Sequence, residues 1–211
     1  MTAHPPPVQR IPVADLVFLV EEEITPQTIA LLARFSTTGD GPAVETLRET
    51  ITSRLPAIPS LCRRVQHVPW WQGRPLWVDD DAFDIDRHVR AEPVPSPGDE
   101  AAVLRVVGRL ITVPFDPRHP LWDLVLLDAG AGGRWMLWRL HHVVADGERA
   151  LWLLAALIDP GLPLGDPPAS RSRWAPPPGI LDGSWRRSPR RRALARRGPG
   201  RTPAFAPSGR S

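Results

Sequence analysis

Trp122-Asp123-Leu124-Val125-Leu126-Leu127-Asp128 is followed, across a glycine-rich run at 129–133, by Arg134-Trp135-Met136-Leu137-Trp138-Arg139-Leu140-His141-His142. Both segments are short and apolar, and the break between them is made of glycine and alanine. That pattern predicts a hairpin with strands at 122–128 and 134–142 and a turn at 130–133. The second strand runs into His141-His142-Val143-Val144-Ala145-Asp146-Gly147, and a helix is expected over Gly147–Ile158, closed by Asp159-Pro160-Gly161. Leu151, Leu154 and Ile158 fall on one side of it. Strand, turn and helix meeting at a histidine pair form the centre from which the rest of the chain is read.

Upstream, Pro97-Gly98-Asp99 is a helix start, and Val103, Val106, Val107, Leu110 and Ile111 make an apolar stripe that ends before Pro114. An earlier helix is predicted from Asp40-Gly41-Pro42, with Asp40 as its cap. Val44, Leu47, Ile51 and Leu55 follow at helical spacing, and Pro56 stops it. Residues 56–97 read as irregular, with one short strand at Pro75-Leu76-Trp77-Val78. Residues 13–35 read as a short strand or turn, the Glu21-Glu22-Glu23 interruption, and a second element over Ile29–Phe35. Helices and strands do not alternate regularly, so the pattern is α+β rather than a doubly wound sheet.

The histidine pair carries the chemistry. An imidazole with an ordinary pKa near 6.5 is largely neutral at pH 7 and accepts a proton without special tuning. Side chains alternate along a strand. His142 therefore shares a face with Leu140, Trp138 and Met136, and His141 with Arg139 and Leu137, which gives His142 the drier wall. Asp146 stands at the N-cap of the following helix, where a carboxylate accepts backbone N–H groups or pairs with an arginine. Gly147 allows backbone geometry that other residues resist. His4, His67, His88 and His119 lack metal-ligand spacing relative to the pair, so a metal site is not expected.

Composition separates two segments of opposite charge. Of the 211 residues, 1–165 hold 15 Arg against 21 Asp and Glu, and 166–211 hold 11 Arg against 2 Asp. Together they give the net +3. The basic segment also carries 9 Pro and 5 Gly, the composition of a disordered tail. One domain is expected over 12–165 and a linker-like tail over 166–211. The pI of 10.6 describes the tail and is weak evidence for specific nucleic-acid binding. All 26 basic residues are Arg. Cys62, the single cysteine, excludes an intrachain disulfide. Arg63 and Arg64 beside it would lower its pKa, although an incidental small residue is the more ordinary reading. The apolar run Leu151–Ile158 has 8 residues, against roughly 18 for a membrane span. A soluble or peripheral cytoplasmic protein is expected.

His-His-x-x-x-Asp-Gly at 141–147 resembles the active-site motif of the CoA-dependent acyltransferase superfamily, which includes chloramphenicol acetyltransferase, carnitine acyltransferases and peptide-synthetase condensation domains. Three further elements narrow the resemblance: Arg74-Pro75-Leu76-Trp77-Val78-Asp79, Phe83-Asp84-Ile85-Asp86-Arg87-His88-Val89 and His119-Pro120-Leu121-Trp122-Asp123. In combination they are similar to the bacterial wax ester synthase/diacylglycerol acyltransferase family over roughly residues 12–185. Pro12-Val13-Ala14-Asp15 matches that family's opening Ser-Pro-x-Asp only weakly.

The resemblance implies a mixed sheet with flanking helices, as in one chloramphenicol-acetyltransferase-like half. It also implies transfer of a fatty acyl group from acyl-CoA to diacylglycerol or a long-chain alcohol. His142 would be the general base, His141 and Asp146 its support, and Gly147, Pro120, Leu121 and Trp122 structural. No metal or prosthetic group is implied; acyl-CoA is a substrate. The family's second half carries motifs that use Asn, and this chain has no Asn. The isolated chain is therefore expected to have little activity without a second half-domain. Two other readings stand beside this one: a condensation-like acyltransferase on carrier-bound substrates, and a non-enzymatic remnant whose basic tail contacts a membrane or lipid-inclusion surface.

Overall fold

The computed structural model describes residues 9–35, 41–159 and 161. Asp40 and the basic tail over 166–211 lie outside these residues.

The hairpin forms as its composition dictates. β6 (Trp122–Asp128) and β7 (Arg134–His141) pair antiparallel from Trp122↔Leu140 to Asp128↔Arg134. On the other edge of β7 lies β2 (Thr28–Arg34), antiparallel, with Thr28 opposite His141. On the other edge of β6 lies β5 (Val89–Pro93), parallel to it. The order β2-β7-β6-β5 is thus a mixed four-stranded sheet. A smaller antiparallel sheet, in the order β1-β4-β3, is built from β1 (Gln9–Arg10), β3 (Arg63–Gln66) and β4 (Leu76–Asp79).

The large sheet is buried on both faces. Leu124, Leu126, Met136, Trp138 and Leu140 pack against α2 (Val44–Arg54) and α5 (Gly147–Ile158). Val125, Leu127 and Leu137 pack on the opposite face against Val103, Val106 and Leu110 of α4 (Glu100–Ile111). Two-sided burial explains why β6 is apolar at consecutive positions instead of alternating. Asp99 caps α4 by accepting from the Ala102 N–H at 2.8 Å. Gly98, at φ +72°, sits where a Cβ would meet the Ala129 carbonyl oxygen at 2.3 Å, so only glycine brings this turn against the hairpin. The α+β class and the flanked mixed sheet are those expected.

Several local expectations need correction. The segment read as a short strand or turn holds no strand: a 3-10 turn at Val13–Asp15 leads into α1 (Leu16–Glu21). α2 is capped at Ala43, without a side-chain cap bond. Residues 56–97 contain β3, β4, β5 and α3 (Ile85–His88). These elements are too short to show a period, and long-range pairing sets them; β5 takes its register from β6. Along α5 the buried residues are Ala150, Leu153, Ala156 and Leu157, while Leu151 is 57% and Ile158 38% exposed. This helix is apolar nearly all round, so periodicity could not choose a face. Two small alanines let one side approach the sheet.

Candidate active site

β7 ends at His141, and the chain turns before α5. The two histidines part at that point. His142 leaves the ladder, its N–H donating to the Gln27 carbonyl at 2.8 Å, and its side chain is half-buried. With Asp15, Phe18, Ser60, Arg63, Trp77, Asp146 and Arg149 it lines a cleft of about 350 Å³. The Phe18 ring stacks on the imidazole with centroids 4.2 Å apart and 19° between planes.

His141 is the drier residue, at 2% exposure, reversing the expectation for the pair. Alternation assigns faces only within the strand, and β7 stops at His141. The His141 Nδ1 accepts from the Val143 N–H at 2.9 Å, which leaves the ring proton on Nε2, 3.4 Å from Glu22 Oε2. Glu22 also accepts from the Gln27 N–H at 2.5 Å. Burial, and secondarily His142, push the His141 pKa down to about 4, so this imidazole stays neutral at pH 7. His141 ties α1, the Gln27 turn and the 141–144 turn together, and the cleft receives one imidazole.

Asp146 caps α5, accepting from the Arg149 N–H at 2.9 Å. Gly147 is the first residue of α5 and has no positive φ; a Cβ there would meet nothing within 4 Å. The turn therefore does not demand glycine, contrary to the sequence reading. Asp15 reaches the cleft from the start of α1. Burial raises its pKa, against a smaller lowering by His142, and Asp146 raises it further.

Pro120, Leu121 and Trp122 are buried behind the site. The Trp122 indole N–H donates to the Leu61 carbonyl at 2.7 Å, and its own carbonyl accepts from His88 Nδ1 at 2.7 Å. His88 stacks on Phe83 and on Trp122, with centroids 4.8 and 4.5 Å away. The 83–89 and 119–123 motifs therefore pack on each other. Through Leu61 they hold the 3-10 turn Pro59–Cys62, whose Ser60 lines the cleft.

Cys62 ends that 3-10 turn. Burial first, then Asp79 and Asp80, push its thiol pKa up, so the lowering expected from Arg63 and Arg64 does not occur. Arg63 instead pairs with Asp79 at 2.9 Å.

Three contributors were missed in the sequence. Phe18 and Glu22 lay in a segment read as strand or turn. Leu16 and Leu19, spaced three apart and packed on the smaller core of Ile11, Val65, Leu121 and Val143, were the available helix signal. Arg149, the third, lies one turn into α5.

A half-exposed imidazole in a partly apolar cleft, beside a buried neutral histidine and a capped helix start, can take a proton from a bound hydroxyl or similar group. The family model for the wax ester synthase/diacylglycerol acyltransferase catalytic domain matches residues 12–205. The chain belongs to this family. A probable diacylglycerol O-acyltransferase of Mycobacterium tuberculosis, tgs3, is 34% identical over 154 residues, which are 72% of this chain and 57% of the relative. A second from the same organism, tgs1, is 33% identical over 147 residues, 69% of this chain and 32% of the relative. The chain thus spans about half or less of these relatives.

Among solved structures, the wax ester synthase/diacylglycerol acyltransferase of Marinobacter aquaeolei VT8 superposes with a TM-score of 0.58 at 22% identity, covering 70% of this chain and 36% of that one. The starter condensation domain of rhizomide synthetase gives 0.55 at 14% identity, covering 72% and 36%. Both likenesses concern the fold alone. This family member has no helix, among the described residues, long and apolar enough to cross a membrane.

Proposed function

We propose that the chain takes part in acyl transfer from acyl-CoA to the hydroxyl of a diacylglycerol or a long-chain alcohol, with His142 as general base. The observation that carries this reading is the separation of the two motif histidines: one is buried and neutral, the other faces the cleft. In the step, the His142 imidazole takes the hydroxyl proton as the oxygen bonds to the thioester carbonyl carbon. The C–S bond then breaks, and the imidazolium returns the proton to the departing CoA thiolate. Atoms and charge balance without a metal or prosthetic group.

Asp146 and His141 position the turn, and Pro120, Leu121 and Trp122 support it from behind. Oxyanion donors and further cleft walls come, in this reading, from a second half-domain, whose absence would cost about 10²-fold or more in each contribution. Both acceptors are lipids, so the proposal includes work at the cytoplasmic side of a membrane or at a lipid-inclusion surface.

The test is turnover of palmitoyl-CoA with diacylglycerol or hexadecanol, by the chain alone and with the uncovered C-terminal portion of the tgs1 relative added in trans. The expected result is weak or no turnover alone, and turnover in the mixture that His142→Ala abolishes. Turnover that persists in His142→Ala overturns the assignment. A condensation-like acyltransferase with a carrier-bound donor would share this fold; turnover from acyl-carrier protein but not from acyl-CoA would favour that second reading.

A further inference from the structure

We propose that the loop at 67–75, between β3 and β4, docks the protein on an anionic lipid surface, with Trp70 and Trp71 as its wedge. Trp70 is 85% and Trp71 69% exposed, whereas Trp77, further along the same hairpin, packs into the smaller core. Two adjacent indoles held in water leave a large apolar area uncovered.

The loop is built to hold them there. Trp70–Gln72 form a 3-10 turn, closed by the Gln72 N–H on the Pro69 carbonyl at 2.8 Å and the Gly73 N–H on the Trp70 carbonyl at 3.2 Å. Gly73 leaves the turn at φ +101°, a conformation for glycine. Arg10 Nη1 donates to the Arg74 carbonyl at 2.7 Å and anchors the loop to β1. The indoles stand edge to face, with centroids 5.9 Å apart. Little conformational freedom remains to be lost when the wedge enters another phase.

Charge selects the occupant. Residues 64–78 contain no Asp or Glu, although residues 1–165 as a whole carry an excess of acid. Arg10, Arg64 and Arg74 lie in or beside the loop and form no ion pair among the described residues. Indoles flanked by unpaired arginines match the layered chemistry of a bilayer edge, where tryptophan prefers the headgroup level and basic side chains meet anionic phosphates. Neither signal alone would anchor the protein stably, and the proposed docking uses both. Gln9 and Trp77 of the same small sheet line the His142 cleft, so a lipid surface under the loop lies beside the cleft's wall.

The test uses the full chain and flotation with phosphatidylcholine vesicles, with and without phosphatidylglycerol, and requires no turnover. The parent is expected to float with phosphatidylglycerol-containing vesicles, less so at high salt. Trp70→Ala combined with Trp71→Ala is expected to lower partition by about tenfold or more, and Trp70→Phe with Trp71→Phe to retain most of it. Arg74→Glu is expected to weaken binding to the anionic vesicles only. Both indoles are exposed, so an unchanged thermal melt will show that the variants remain folded. A parent that does not float overturns the proposal, as does an alanine variant that floats like the parent, which would assign binding to the basic residues at 166–211. A nitroxide at Gln72→Cys, in a Cys62→Ser background, is expected to report immersion in lipid; a label that stays in water also overturns it.

Discussion

Phe18 lies on the His142 imidazole with centroids 4.2 Å apart, so α1 forms one wall of the candidate base. The contact restricts the ring from one side while the backbone bond to Gln27 fixes its root. Phe18→Leu keeps an apolar side chain but loses the stacked face. It is expected to cost about 1 kcal/mol of stability and about tenfold in acyl transfer through poorer alignment. The ring protons of His142 should move downfield when the Phe18 ring current is removed. An unchanged imidazole spectrum would contradict the stack.

Arg149 lines the same cleft and forms no ion pair among the described residues, and its Nε is buried without a hydrogen-bond partner. An orphaned guanidinium in a cleft suits an anionic ligand, and coenzyme A supplies phosphates. Arg149→Met is expected to weaken coenzyme A binding by about tenfold or more by calorimetry, in line with the loss of one charge-assisted hydrogen bond. A hydroxyl-bearing acceptor without charge should bind equally well to both forms. Equal coenzyme A affinity in the two forms would remove Arg149 from the site.

His141 makes stability depend on pH in a defined direction. Unfolded, its imidazole holds a proton up to about pH 6.5; folded, only up to about 4. Between these values the unfolded chain binds more protons, so stability rises with pH across the window and falls as acid is added. The loss between pH 6.5 and 4 is expected to be about 1–3 kcal/mol. Buried His88, whose pKa is also lowered, adds to the trend. His141→Asn keeps an acceptor near the Val143 N–H but does not titrate. Urea unfolding from pH 4 to 8 should give a flatter profile for it than for the parent; parallel profiles would refute the assignment to His141.

The hairpin, the motif turn and α5 were legible because each has a strong local signature: two apolar runs around glycines, and Asp146 before a helical run. The identity of the inward histidine was not. Alternation assigns faces only while the strand lasts, and β7 ends between the two residues that matter. Phe18 and Glu22 were hidden for a different reason. The six residues of α1 offer only the single Leu16–Leu19 spacing as a helix signal, and the roles of Phe18 and Glu22 depend on β2 docking beside His141. Trp70 and Trp71 were visible as residues of an irregular stretch, but their exposure, against the packing of Trp77 in the smaller core, is a tertiary fact.

Asp123 and Arg139 oppose each other across β6 and β7 and are nearly inaccessible, at 7% and 4% exposure. The pair is bidentate, with Nε to Oδ1 at 2.8 Å and Nη2 to Oδ2 at 2.5 Å. Arg139 also donates to the Leu110 carbonyl at the end of α4 and lies over Phe115, 5.0 Å from the ring centroid. Its guanidinium thus joins the sheet to the helix behind it. Arg139→Met leaves the Asp123 carboxylate buried with only Arg90 within reach, at 3.7 Å. The expected cost is about 3 kcal/mol, the low end for breaking a buried pair because Arg90 remains. Asp123→Leu combined with Arg139→Met removes both charges and should cost clearly less than Arg139→Met alone. Denaturant titration of the three proteins decides the matter. If the double variant is as unstable as the single one, the main contribution of Arg139 is its bond to α4 rather than its pairing with Asp123.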